Sequence, residues 1–320
     1  METAAARFAV IELGSRGARL LVVDAGPADE PLQVVRSHGE TLDLGRDLAD
    51  GDGTLPAPAL LRARRVVGRY LAQARREGAA AVHLVGTAVF RAARNVDEFR
   101  RQLPADLPLQ VLAPQDEARC SFYAAGWAFR AVLPSAVPLL VIDGGGGSLE
   151  VAWGRLVDDL PRFAGAEVLA LGSHALRDRL RDEPGLPAQD VLCQQVRETL
   201  LRARLPEWAA TAGTAPLAVG MGSAVTEAVW RLRRSGGGGY RSRAVHGVEV
   251  GRDELAALRD QVAAGPAGGA DENLGAGLVA VVAVLEAVGL ARLRACGYGL
   301  RYGVALAVAQ GLPWRESPAD

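Results

Sequence analysis

The chain has 320 residues, of which 49% are hydrophobic and 23% charged. This composition is typical of a folded globular protein with one large or two medium domains, and it excludes a disordered or collagen-like chain. The 36 basic residues are all arginine and face 37 acids, which gives a formal net charge of -1. A balance so close to neutral gives no electrostatic reason to expect duplex nucleic acid or an anionic membrane as a partner.

The cysteines and the apolar runs indicate the cellular compartment in which the protein is expected. Cys120, Cys193 and Cys296 stand singly, without a CxxC pair, so we expect free thiols in a reducing cytoplasm and no structural zinc site. The first apolar run, 8–11, is too short for a signal peptide or a membrane span. The run 274–290 contains Glu286 and predicts a buried helix.

The first half of the chain alternates strand and helix signals. Runs 8–13 and 19–24 are rich in β-formers and enclose a glycine turn at 14–17, which predicts a hairpin. Apolar spacing and acids in a first turn predict two long helices, 57–76 and 114 to about 132. The remaining predicted elements are strands at 32–37, 81–85 and 109–112 and a helix from 88 to 101.

The second half repeats this layout. A strand at 139–143, a glycine loop at 144–147 and a strand at 148–153 repeat the first hairpin about 130 residues later, which predicts two α/β domains of similar design. Further predicted strands lie at 217–219 and 292–295. Predicted helices begin after 172, at 187, at 222, at 252, at 272 and after 299, and 233–243 is predicted to be a surface loop.

The second glycine loop is the sharpest chemical feature. Asp143 and Glu150 flank Gly144, Gly145, Gly146, Gly147 and Ser148. Glycines let the backbone approach an oxyanion and direct amide N–H groups at it, while acids on both sides could hold a divalent cation that bridges phosphate oxygens. A hairpin with a merely glycine-rich turn explains the loop equally well when it is taken alone.

Two weaker glycine turns accompany it. The first contains Glu12, Gly14 and Ser15, and the other contains Gly222 and Ser223. Either turn alone would suit any strand end. Together with the second loop they form the pattern expected when two related domains hold a phosphate chain between them.

Eight blocks in chain order resemble the exopolyphosphatase and guanosine pentaphosphate phosphatase (Ppx/GppA) family, short two-domain type. They are 11–15, 86–95, 116–119, 141–150, 171–172, 219–223, 245–247 and 299–303. The resemblance implies an α/β fold of two actin-like (ribonuclease H-like) domains with a cleft between them. It implies domain I at 1–132, domain II at 133–302, and a C-terminal helix and tail at 303–320 that packs back on domain I.

The resemblance also assigns roles to residues. Glu117 would be the catalytic base that orients and deprotonates water, and Asp143, Glu150 and Glu12 would hold Mg²⁺. Phosphate would be bound by Gly14, Ser15, Arg16, Arg91, Gly145, Gly146, Gly147, Ser148, Gly222 and Ser223. Phosphoryl transfer to water needs these elements, namely an in-line nucleophile and neutralised oxyanion charge. Without the resemblance, Glu117 would be interpreted as an ordinary acid in a helix first turn.

Two residues at the first glycine turn depart from the family pattern. Glu12 stands where the family has aspartate, and Arg16 where it has asparagine. The longer glutamate would shift a bound metal or water by about an ångström, which matters where geometry controls rate. Arg16 could bind a phosphate, or it could pair with Glu12 and block the loop.

The leading hypothesis is a cytoplasmic Mg²⁺-dependent phosphohydrolase that removes terminal orthophosphate from inorganic polyphosphate or from guanosine pentaphosphate (pppGpp). The sequence does not distinguish these substrates, and it leaves open whether the chain forms a homodimer. An alternative is a catalytically weak or inactive protein that binds polyphosphate or an alarmone. A third hypothesis, an actin-like ATPase or sugar kinase, shares the two-hairpin layout but lacks a recognisable adenosine-binding motif.

Overall fold

A computed structural model describes residues 6–27, 30–49, 52–133, 137–182, 186–211, 213–233, 240–263 and 270–315. The chain divides into two compact units, which are formed by the described residues of Met1–Ala124 with Leu300–Asp320, and of Ala125–Gly299. Most of the loop predicted at 233–243 lies outside the described residues.

Strands and helices alternate along most of the chain. The strands are β1 (Arg7–Leu13), β2 (Gly17–Ala25), β3 (Leu32–Thr41), β4 (Ala81–Gly86), β5 (Leu109–Val111), β6 (Pro138–Gly144), β7 (Leu149–Val157), β8 (Leu160–Leu169), β9 (Leu217–Met221), β10 (Glu249–Gly251) and β11 (Arg292–Ala295). The helices are α1 (Leu44–Ala49), α2 (Ala57–Arg76), α3 (Ala88–Ala92), α4 (Val96–Arg101), α5 (Pro114–Phe129), α6 (Ser173–Asp182), α7 (Leu186–Arg202), α8 (Leu205–Thr211), α9 (Gly222–Arg233), α10 (Arg252–Ala263), α11 (Ala270–Val288) and α12 (Leu300–Gln310).

The first unit contains a five-stranded sheet in the order β3-β2-β1-β4-β5. The hairpin partner β2 runs antiparallel to β1, whereas β4 runs parallel to it. Ile11 and Leu13 belong to the same buried cluster as the apolar face of α2. Because side chains alternate along a strand, Glu12 points to the opposite face, which α12 covers.

A glycine sets the position of α12 in the first unit. A Cβ atom at Gly303 would lie 1.7 Å from the backbone oxygen of Cys120, so only glycine lets α12 approach α5 this closely. Burial raises the pKa of the Cys120 thiol, which keeps it protonated at this helix contact.

The second unit contains a six-stranded sheet in the order β10-β11-β9-β6-β7-β8. The strands β6, β7 and β8 pair antiparallel, and β6 pairs parallel with β9. The core includes Leu140, Ile142 and the buried face of α11, as the run 274–290 predicts. No helix among the described residues is both long and apolar enough to span a membrane.

The two sheets repeat one pattern, which confirms the predicted mixed α/β fold class. Each begins with three antiparallel strands whose first member pairs parallel with a later strand. Each hairpin loop is closed by a hydrogen bond at the equivalent position. In the first loop the Gly14 amide donates to the Gly17 oxygen at 2.9 Å, and in the second the Gly145 amide donates to the Ser148 oxygen at 3.0 Å.

Three differences from the predicted elements stand out, and the first two have a physical explanation. The edge strand β8 was not predicted because Pro161 and Gly165 interrupt its pattern, but proline is tolerated at a sheet edge, and a Cβ at Gly165 would lie 2.8 Å from the Trp153 ring. The predicted helix 88–101 is divided into α3 and α4, where the Asn95 side chain bonds the backbone N–H and oxygen of Leu55, both at 2.9 Å. The predicted helix 187–205 ends at 202 and is followed by α8.

Candidate functional site

The glycine loop of the second unit joins β6 to β7. Strand register places Asp143 opposite Glu150 at the mouth of the hairpin. The Ser148 hydroxyl donates a hydrogen bond to Glu150 Oε1. Glu150 is only 2% exposed, whereas Asp143 is half-buried. The hairpin therefore holds one solvated and one buried carboxylate side by side.

The loop backbone is fixed by the helix that follows β8. The amides of Ser173 and His174, at the start of α6, donate to the oxygens of Gly145 and Gly146, both at 3.0 Å. Among the residues that the structure describes, the amides of Gly146 and Gly147 donate to no backbone acceptor. A loop with its carbonyls anchored and two amides available suits an oxyanion.

Gly172 permits this anchoring. A Cβ there would lie 2.3 Å from the Gly147 carbonyl carbon and 2.4 Å from both the Gly146 oxygen and the Ser148 nitrogen. All three are backbone atoms, so none can rotate away. Only glycine fits beneath the loop at this position.

The third glycine turn also lies beside the acids. Gly144 forms a parallel bridge with Gly222, whose φ of +81° is in the left-handed region. A Cβ there would lie 2.2 Å from the Gly144 oxygen and 3.0 Å from Asp143 Oδ1. Glycine is thus required at 222. Because Gly222 is the first residue of α9, Ser223 and the start of this helix lie at the same end of β6.

The two acids of this loop could hold a magnesium ion only together with donors from outside the described residues. No group of three or more histidine, cysteine, aspartate or glutamate residues that could hold a metal occurs within the described ranges. Magnesium commonly binds through one or two carboxylates together with substrate phosphates and water, a donor set that Asp143 and Glu150 could complete.

A cysteine near Asp143 is chemically inert. Cys296 is buried and donates its thiol hydrogen to the Tyr298 oxygen at 3.3 Å. Burial raises the pKa of this thiol to about 12, and the charge of Asp143 adds to the increase. The thiol therefore stays protonated near neutral pH and is a poor nucleophile or metal ligand.

The corresponding hairpin of the first unit has a different charge pattern. Register places Glu12 opposite Arg19, the positions that Asp143 and Glu150 occupy in the second unit. Arg19 approaches Glu12 Oε1 at 3.8 Å, and Arg301 of α12 approaches Oε2 at 3.7 Å. In the structure, the Arg19 and Arg301 guanidinium groups therefore both lie within 4 Å of the Glu12 carboxylate.

The loop of the first hairpin is anchored like its counterpart. The Ser15 oxygen accepts from the Gly45 amide at 2.8 Å, and the Arg16 oxygen accepts from the amides of Leu42 and Asp43 at 2.9 and 3.1 Å. The Arg16 side chain is exposed. A Cβ at Gly14 would lie 3.6 Å from the Thr87 hydroxyl oxygen, which places that hydroxyl against the loop.

The proposed base Glu117 lies in the first turn of α5 and is paired with Arg91. Arg91 donates one N–H to Glu117 Oε2 at 2.6 Å and another from the same nitrogen to the Leu112 oxygen at 2.9 Å. Both side chains are mostly buried, with 21% and 13% exposed. Arg91, predicted to bind phosphate, therefore also orients Glu117.

The sequence profile of the Ppx/GppA phosphatase family matches residues 21–225, which is more than half of the chain. The chain belongs to this family. The matched range contains Arg91, Glu117, Asp143, Glu150 and Ser223, whereas the Glu12 loop and Arg301 lie outside it.

Relatives of this Ppx/GppA family member include an uncharacterized protein of Streptomyces coelicolor, 36% identical over 53% of this chain and 48% of that protein. Exopolyphosphatase 1 of Mycobacterium tuberculosis is 32% identical over 56% of this chain and 50% of that protein. The chain thus spans about half the length of the curated relatives it matches.

A solved structure extends the likeness over nearly the whole chain. The PPX-GPPA enzyme of Aquifex aeolicus matches with a TM-score of 0.77 at 20% identity, covering 94% of this chain and 99% of that one. At this identity the likeness shows the fold, which confirms the predicted actin-like α/β architecture of the Ppx/GppA family.

The sequence analysis missed three residues near the loops. Gly172, Arg301 and Thr87 stand in the family blocks 171–172, 299–303 and 86–95, but none of them was given a role. The signal for Thr87 was the repeat itself, since Gly86 ends β4 and Thr87 follows it, while Gly222 and Ser223 follow the equivalent strand β9.

Proposed function

We propose that this member of the Ppx/GppA family is a phosphohydrolase that removes terminal orthophosphate from inorganic polyphosphate or from pppGpp. Glu117 orients and deprotonates the attacking water, and Asp143 with Glu150 holds Mg²⁺. The observation that carries the proposal is the acid pair on the glycine hairpin of the second unit, beside two amides that donate to no backbone group among the described residues.

The hairpin supplies what a phosphoanhydride needs in order to react. The amides of Gly146 and Gly147 can donate to phosphate oxygens, where negative charge develops during the reaction. Bound Mg²⁺ would supply a Lewis acid that polarises the phosphoryl group. The Ser148 hydroxyl fixes Glu150, so that its position is set before substrate arrives.

The pairing of Glu117 with Arg91 supports its proposed role. A base must be oriented before it can direct a water molecule in line with phosphorus. The bond of 2.6 Å from Arg91 to Oε2 holds the carboxylate. The other N–H groups of Arg91 donate to no acceptor in the described part of the chain, so this side chain can also contact phosphate.

Phosphate release from long-chain polyphosphate and from pppGpp, measured with Mg²⁺, tests the proposal. The wild-type protein should release phosphate, while Glu117→Gln and Asp143→Asn should lose most of that activity. Arg75→Met serves as a control, because Arg75 pairs with Asp106 on the exposed surface. No release above Glu117→Gln with either substrate would contradict the proposed hydrolysis.

A binding protein without turnover is the second candidate. It is favoured by Glu12 and Arg16, which stand where the family has aspartate and asparagine. Calorimetry would then show salt-sensitive binding of polyphosphate, with no phosphate released. Turnover that disappears in Glu117→Gln would exclude this candidate.

A further inference from the structure

One edge of the sheet in the first unit is open along a whole strand. The strand β3 ends the order β3-β2-β1-β4-β5, so its inner edge pairs with β2 and no strand of the described residues pairs with its outer edge. The strand is ten residues long, and most of its side chains from 33 to 41 are exposed. Such an edge presents a row of backbone N–H and C=O groups with which another strand can pair.

Proline and β-bulges, which often block a sheet edge, leave most of β3 uninterrupted. The strand contains no proline, and its pairing with β2 is regular from Arg36 to Thr41. The bulge lies before this segment, at Val35, which the register with β2 skips. Val34 and Val35 are 39% and 36% exposed. The regular segment 36–41 is therefore available to a further strand.

The hydrogen bonds to β2 determine which backbone groups of β3 point outward. The Leu42 amide donates to the Arg16 oxygen at 2.9 Å, directly beside the pair of Gly17 and Thr41. Backbone groups of an antiparallel strand face its two sides alternately, so the even-numbered residues bond to β2, as Leu42 does. The N–H and C=O groups of the odd-numbered residues from 37 to 41 therefore point away from the sheet.

The charges of this segment complement a second copy of the same segment. When two β3 strands pair antiparallel about a two-fold axis at His38, Arg36 of each copy stands opposite Glu40 of the other. The outward groups of Ser37 then pair with those of Gly39, as the hydrogen-bond alternation requires. Moving the axis by two residues in either direction would set Arg36 against Arg36 or Glu40 against Glu40. The charges thus favour one register.

Both charged side chains are already held on one face of the sheet. Arg36 pairs with Glu77 and Glu40 pairs with Arg69, and both partners belong to α2 or directly follow it. The exposed fractions of the Arg36 and Glu40 side chains are 47% and 31%. Each can therefore approach an opposite charge on a neighbouring strand while it remains on the α2 face.

We propose that β3 is the interface of a homodimer, in which two copies of the chain join their first-unit sheets into one continuous sheet. The two-fold axis lies at His38. Main-chain hydrogen bonds between Ser37 and Gly39 of opposite copies supply affinity, and the two pairs of Arg36 with Glu40 set the register. A surface that complements itself in this way is what a two-fold interface requires, so the occupant is a second copy rather than an unrelated strand.

Sedimentation velocity over a range of protein concentrations tests the dimer without substrate, so its result does not depend on the proposed function. The wild type should shift from monomer to dimer as its concentration rises. Arg36→Glu and Glu40→Arg each replace two attractive pairs with two repulsive ones, and each should raise the dimer Kd at least about tenfold. Arg75→Glu changes an exposed arginine of the same unit that pairs with Asp106, and it should dimerise like the wild type.

Mixing the two charge variants should restore the dimer. In an equimolar mixture of Arg36→Glu and Glu40→Arg, one copy carries acids at both positions and the other carries arginines, so both contacts become attractive again. The mixture should sediment as a dimer at concentrations where each variant alone is monomeric. Recovery in the mixture also shows that both variants are folded.

A disulfide across the axis tests the register independently of affinity. Directly opposite residues that are not hydrogen-bonded have Cα atoms about 4.5 Å apart, within the range that a disulfide spans. His38 is exposed, and His38→Cys should crosslink two copies under mild oxidation, as a non-reducing gel would show. Arg36→Cys is the control, because its two copies would lie four residues apart along the strands, about 13 Å, and should not crosslink.

Two results would overturn this interface. A wild-type protein that stays monomeric at every concentration would show that β3 does not pair with a second copy. A dimer that keeps its Kd in both Arg36→Glu and Glu40→Arg, with no crosslink in His38→Cys, would show that association uses another surface. Loss of the dimer in each charge variant and its recovery in the mixture would support the proposed pairing.

Discussion

Replacing Gly172 by alanine should disable the second glycine loop without removing any group that takes part in the chemistry. The added Cβ would lie 2.3 to 2.4 Å from three backbone atoms of residues 146–148. Carbon contacts are comfortable at about 3.5 Å, so the loop or the start of α6 must move by roughly 1 Å. Such a displacement affects both stability and rate.

The expected stability cost is about 1–3 kcal/mol, the usual range for overpacking a well-packed site. In a unit of this size that lowers the midpoint of thermal unfolding by roughly 2–4 °C per kcal/mol. A shift of about 1 Å in a substrate-positioning loop can lower the rate roughly 100-fold. Phosphate release should therefore fall much more than the small loss of stability explains.

Scanning calorimetry and phosphate release would be measured on Gly172→Ala beside Gly275→Ala. Gly275 lies in α11, where an added Cβ would meet a single neighbour among the described residues, Val262 at 3.9 Å. That control should be stabilised by up to about 1 kcal/mol, because glycine is a poor helix former. An unfolding midpoint and a rate equal to wild type in Gly172→Ala would refute the steric reasoning.

Three further predictions concern single side chains. Ser148→Ala should destabilise the second unit by about 1–3 kcal/mol, because the buried Glu150 carboxylate loses a donor, and calorimetry in EDTA would detect this loss without metal. Arg91→Met should lower kcat at least about tenfold by releasing Glu117 from its hydrogen bond, with partial recovery in Arg91→Lys; equal kcat values in steady-state assays would count against orientation by Arg91. Burial lowers the pKa of His246, although a hydrogen bond to the Ala128 backbone partly offsets this. The free energy of unfolding should therefore be fully retained above about pH 6.5 and should fall as pH drops below that value. Urea titrations of His246→Gln should show a free energy of unfolding that depends less on pH than that of the wild type.

The direction of the His246 effect follows from its surroundings. The ring packs 4.8 Å from Phe129 and 4.7 Å from Tyr298 between centroids, and Nδ1 is buried without a hydrogen-bond partner. Protonation would place an unpaired N–H and a charge among aromatic rings. The folded state therefore favours the neutral ring, whereas the unfolded chain accepts the proton more readily.

Periodicity predicted the elements whose burial pattern is regular. The helix α2 was predicted with its observed bounds, Ala57–Arg76, because its apolar residues recur at helical spacing. Elements broken by tertiary contacts were predicted poorly. Asn95 divides a helix by bonding to Leu55, forty residues away in sequence, and no local pattern encodes such a partner.

The sequence placed the acids at the ends of hairpin strands and the glycines in or beside the loops that follow, as the structure has them, but it could not assign their partners. Arg91 and Glu117 are 26 residues apart, and their bond depends on how α3 and α5 pack. Arg301 reaches Glu12 from the other end of the chain because α12 packs on β1. The roles predicted for the site residues stay predictions until variants are measured.

The amino-acid sequence alone determined the repeated hairpins, their glycine loops and the family, because these features depend on residue type and local spacing. Tertiary structure decided which charges meet. Two loops of the same backbone design differ because Glu150 faces Asp143 in one and Arg19 faces Glu12 in the other. Strand register and a helix from the C-terminal part of the chain bring these groups together, and electrostatic interactions depend on distance in space rather than along the chain.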